Sequence, residues 1–89
     1  MSNRNERTNT HRIAFERAAA KYILGESEGL ELRGNRRQVA AASRVLEESR
    51  GLLTALRTSA DLAEVRSRIE RKRKAAATFS DAFGYVWPF

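Results

Sequence analysis

The chain of 89 residues (10.1 kDa) has no cysteine, one histidine, one proline and a formal net charge of +6 from 17 basic and 11 acidic residues. That length holds one domain, and the absence of cysteine excludes a disulfide scaffold and a cysteine-based zinc site. No apolar run approaches the roughly 20 residues of a membrane span, and Met1 to Thr10 is too polar for a signal peptide, so a soluble chain in a reducing compartment, cytoplasmic or virion-associated, is expected.

In chain order, Met1 to Asn9 is polar, has no apolar period, and reads as an arm. Thr10 is placed to cap a first helix over about 10–24. Its apolar side is Ile13, Phe15, Ala18, Ala19, Tyr22 and Ile23, and Gly25 is its stop. Three glycines and three glutamates make residues 25–34 a loop, which Leu30 and Leu32 are expected to anchor to the core.

Asn35 and Gln38 have the spacing of a capping box and open a second helix over about 36–57. Its stripe is Val39, Ala42, Leu46, Leu53 and Leu56, widened by Val45 and Leu52, with Ser49 in the one polar slot and Gly51 inside it. A further stripe follows at Leu62, Val65, Ile69, Lys72, Ala76, Phe79 and Phe83. On one straight helix the two stripes would face about 200° apart, so a turn near Thr58 to Ala60 is required, with Asp61 and Glu64 as another capping box. The fold expected is all-α and a single helical domain over 1–89. It is an antiparallel helical hairpin (about 36–57 and 61–83) with a shorter N-terminal helix (about 10–24) and an extended aromatic tail over 84–89.

Catalytic chemistry has little to draw on. His11 stands alone, and residues 29–36 have the glycine spacing of a P-loop but carry Asn35 and Arg36 where lysine and serine or threonine belong. No enzymatic activity, cofactor or metal is expected.

Charge and aromatic rings are the informative features. Fourteen of the 17 basic residues are arginine, and the sequence pI is near 10.8. Arg33, Arg36 and Arg37 crowd the amino end of the second helix, where the macrodipole favours acids. This makes an anion site there unless Glu26, Glu28 and Glu31 fold back to neutralise them. Arg66, Arg68, Arg71, Lys72, Arg73 and Lys74 project around nearly the whole third helix, as in a helix that protrudes or one that meets nucleic acid or an acidic protein. Five of the seven aromatic residues lie in the last eleven positions: Phe79, Phe83, Tyr85, Trp87 and Phe89. They are expected to dock on a protein partner or another copy of the chain, the alternative being that the tail covers a thin core in which 14 of the 37 hydrophobic residues are alanine.

The function expected is that of a non-enzymatic assembly or adaptor protein, a subunit of a larger complex such as a phage virion or mobile-element component. The alternatives are a sequence-independent nucleic-acid-binding module, and an inhibitor or sponge that holds a host protein or an anionic ligand. No membrane partner is expected.

Overall fold

The structure, a computed structural model, describes residues 3–89, with side chains from His11 onward. Three helices follow in order: α1 (Asn3–Ile23), α2 (Arg36–Arg57) and α3 (Leu62–Phe83).

Local chemistry sets their ends. The N–H of Gln38 donates to the Asn35 side-chain oxygen at 2.8 Å, and the N–H of Asn35 donates to Gln38 Oε1 at 3.1 Å, so both halves of the capping box at α2 form. Gln38 Nε2 also donates to the Ala82 carbonyl at 3.3 Å, which ties the start of α2 to the end of α3. At α3 only half of the expected box forms. Asp61 accepts from the N–H of Glu64 at 2.8 Å, while the Glu64 carboxylate turns along its own helix to Arg68 at 3.0 Å. α1 closes with paired bonds from Glu26 N–H to the Lys21 carbonyl and from Gly25 N–H to the Tyr22 carbonyl. That motif needs a left-handed residue, and Gly25 supplies it at φ 81°. Gly84 takes the same conformation at the end of α3 and turns the chain back along the helix.

The out-of-phase stripes resolve as an antiparallel hairpin. Gln38 meets Ala82, Glu48 meets Arg71, and Gly51 lies beside Arg68, so residue numbers across the pair run in opposite directions over both 22-residue helices. α1 runs the same way as α2. The Arg50 guanidinium lies 4.7 Å from the Tyr22 ring centroid, and Arg57 donates to the Leu24 carbonyl at 3.3 Å.

Two features refine the sequence reading. α1 starts at Asn3, so the expected arm is helical from that residue, while Met1 and Ser2 lie outside the described residues. Apolar period locates the packed face of a helix, not its length, and neither glycine nor proline interrupts residues 3–23. The second is the tail, which follows the alternative given above and folds onto the core. Trp87 is 5% exposed beside Ala19, Ala42, Val45, Leu46, Ala75 and Phe79, with Phe15, Leu30, Leu32, Phe83 and Tyr85 packed around them. The Trp87 indole N–H donates to Ser49 Oγ at 3.1 Å, so the polar slot in the α2 stripe holds the acceptor for the tail's indole.

Rings stack outward from Phe79, whose centroid lies 4.3 Å from Phe83, 4.9 Å from Trp87 and 5.4 Å from Tyr85. Of the two roles expected for Phe79, Phe83, Tyr85, Trp87 and Phe89, docking and covering the core, the packing within this chain matches the second. Phe79 and Trp87 are buried within their own chain, Phe83 and Tyr85 are half-buried, and only Phe89 keeps substantial exposure, at 41%. Burying the rings in the chain's own core gains the contacts that a core rich in alanine lacks.

Candidate anion-binding groove

On the face of the hairpin turned away from the aromatic core, α2 and α3 leave a groove of about 590 Å³. The buried Ala41 and Ala75 floor it, Ala40 lies at its edge, and Arg37, Arg44, Arg71 and Lys74 stand along it. Helix geometry accounts for the convergence. Residues 37, 41, 44 and 48 step by three or four along α2, as do 71, 74 and 78 along α3, with Ala75 four positions after Arg71, and each set lies on one side of its helix. The small floor residues leave a channel that larger side chains would fill.

One carboxylate faces these cations. Glu48 is 4% exposed and accepts from Arg71 Nε at 2.9 Å, with Arg44 Nε at 3.9 Å. The buried carboxylate holds Arg71 across the interface, so Arg71 is structural as well as part of the groove wall. Arg37 and Lys74 make no ion pair among the described residues. Toward the turn the groove becomes mixed in sign, with Glu47, Glu64, Arg50 and Arg68 lining its continuation.

The residues expected to bind anions are thus divided. Arg37, Arg71 and Lys74 reach the groove. Arg44, which the sequence reading passed over, joins them; its signal was the three-and-four spacing it shares with Arg37 and Glu48. Arg68 pairs with Glu64 and lies over Gly51, where an added Cβ would stand 2.8 Å from its guanidinium. The contact is with the far end of a flexible side chain. Arg73 turns to Glu70 at 2.7 Å on an exposed face; the hydrogen bond from Arg73 holds the Glu70 carboxyl below its usual range, and the same bond raises the Arg73 guanidinium above its own. Lys72 is half-buried, and Arg66 and Arg36 are exposed away from the groove floor. Arg33 has Glu31 at 3.7 Å in a fully solvated pair, and among the described residues neither Glu26 nor Glu28 forms an ion pair.

Two further surfaces bear on function. Near the turn, the apolar stripe of the hairpin is left uncovered at Leu56 (55% exposed), Leu62 (63%) and Ile69 (48%). At the opposite end of the molecule a cavity of about 360 Å³ opens among Phe15, Leu32, Phe83 and Tyr85, with Arg12, Arg33 and His11 at its edge. Burial pushes the Tyr85 phenol above its ordinary value; Arg12, whose guanidinium carbon lies 3.9 Å from the ring centroid, opposes the shift, and Glu16 adds to it.

Among the described residues no three His, Asp or Glu side chains gather as a metal site, and no helix is long and apolar enough to cross a membrane. The fold and groove define a small basic three-helix protein built around a hairpin. Comparison with protein-family models, curated proteins and solved structures finds no match to this chain.

Proposed function

We propose that the protein binds a phosphate-bearing polyanion, nucleic acid foremost, along the groove between α2 and α3, without reading bases and without catalysing a reaction. The observation that carries this is the convergence of Arg37, Arg44, Arg71 and Lys74 from two helices onto one alanine-floored channel, four cations against, among the described residues, the Glu48 carboxylate. Guanidinium groups suit phosphate oxygens, and alanine lets a sugar-phosphate backbone approach closely. The rest of the chain's positive charge adds steering that salt screens.

Binding to an oligonucleotide duplex should weaken steeply with salt, with a log–log slope of roughly −3 if three phosphates are neutralised. The triple variant Arg37→Ala, Arg44→Ala, Lys74→Ala, which leaves the Glu48–Arg71 pair intact, should flatten that slope. Binding that ignores salt, or that survives the triple variant unchanged, contradicts the proposal.

A second reading, assembly with another copy of the chain, is favoured by the uncovered leucines near the turn. The strip is flanked by both Arg57 and Arg66 and by Asp61 and Glu70, and a surface carrying both signs is what a self-complementary contact requires. Light-scattering mass should then rise with concentration and stay monomeric for Leu56→Ser, Leu62→Ser; a wild-type mass that never exceeds one chain removes this reading.

A further inference from the structure

Four of the large side chains at the edge of the core border one cavity. Phe15, Leu32, Phe83 and Tyr85 are half-buried, whereas Phe79 and Trp87 behind them are closed. All three helices, the loop and the tail contribute: Phe15 from α1, Leu32 from the loop, Phe83 from α3 and Tyr85 just after it, with Ala42 of α2 at the floor. Ala41 floors the polyanion groove and Ala42 floors this cavity, so α2 separates two sites about 100° apart. At about 360 Å³ the cavity is within the size range of small-molecule sites, and its composition, aromatic walls with a few convergent polar groups, is the one such sites use.

The edge of the cavity sets the charge of what enters. Arg12, Arg33 and His11 border it, and among the described residues no carboxylate lines it. Arg12 has Glu16 at 3.1 Å and Arg33 has Glu31 at 3.7 Å, but both pairs are exposed and local, of the kind worth little in water, so a ligand anion can replace them. Arg12 already lies over Tyr85 and faces the ring wall.

We propose that this cavity binds a small aromatic carboxylate, its rings against Phe83 and Tyr85 and its carboxylate toward Arg33 and Arg12. The ring walls favour a flat apolar body through offset and edge contacts, and the guanidinium groups favour a planar two-oxygen anion. This site is independent of the groove and holds whether or not the chain binds nucleic acid.

The test is a titration of the full chain with 2-naphthoate and, in parallel, with its uncharged analogue 2-naphthalenemethanol, followed by two-dimensional amide NMR. Naphthoate should move the resonances of Leu32, Arg33, Phe83 and Tyr85 and bind about tenfold tighter than the alcohol. Arg33→Gln, at a highly exposed position, should remove most of that difference while the chain stays folded. Leu32→Trp should fill the cavity and abolish binding of both compounds. Equal affinity for acid and alcohol, shifts confined to Arg37 and Lys74, or no shift up to about 10 mM ligand would overturn the proposal.

Discussion

Ser49 shows how one side chain can couple a helix to a distant segment. It sits where the α2 stripe calls for an apolar residue, is 5% exposed, and accepts the Trp87 indole N–H from 38 positions away. Ser49→Ala leaves that N–H buried without a partner, and a loss of about 1–3 kcal/mol is expected in urea unfolding. Phe79→Ala should cost more, about 3–5 kcal/mol, because Phe79 is fully buried and touches four other rings. A larger loss for Ser49→Ala than for Phe79→Ala would mean that the indole bond, not ring packing, holds the tail. Tyr85 links stability to pH. Its phenol is raised above 10.0, chiefly by burial, so the folded state keeps its proton longer than the unfolded chain does. That contribution is intact below pH 10 and is lost as pH rises through the folded value. Tyr85→Phe should therefore flatten the alkaline fall in melting temperature; an unchanged alkaline limb would place the cause elsewhere.

At the scale of elements, Gly51 separates two explanations that the sequence leaves open, close helix approach and a weak point. An added Cβ meets only the far end of the Arg68 side chain, which can move, while alanine improves helix propensity by up to about 1 kcal/mol. Gly51→Ala is expected to raise the melting temperature slightly. A loss of stability would show that the seat of Arg68 over α2 matters more than propensity. Removing Tyr85 to Phe89 should abolish cooperative melting, because Trp87 and the bond to Ser49 go with it; a truncated chain that melts as sharply as the full one would show that the tail is an appendage.

The hairpin was legible in the sequence because stripes, caps and the turn all agreed. Asn35 with Gln38 and Asp61 with the N–H of Glu64 mark helix starts by short-range chemistry. The fold-back of the tail was not legible. Nothing local says whether an aromatic segment after Gly84 packs on its own chain or on another, since the deciding contact joins Trp87 to Ser49 across 38 positions. The groove was half legible for a similar reason: Arg71 and Lys74 belong to a conspicuous run, but Arg37 and Arg44 join them only once the two helices are set side by side.

At the scale of the whole molecule, the two ends of the hairpin differ. One end carries the aromatic core, roofed by α1 and the tail; the other leaves Leu56, Leu62 and Ile69 open. The thin core foreseen from composition is thus filled locally by rings, and the alanines do a second job as the floor of the groove. On this account the tail is structural and the charged face is the working surface. Amide and indole NMR of the full chain titrated with an oligonucleotide duplex tests that division directly. Shifts should gather at Arg37, Ala40, Arg44, Lys74 and Thr78 while the Trp87 indole resonance stays in place, whereas shifts of Trp87 and Phe89 with a silent groove would contradict it.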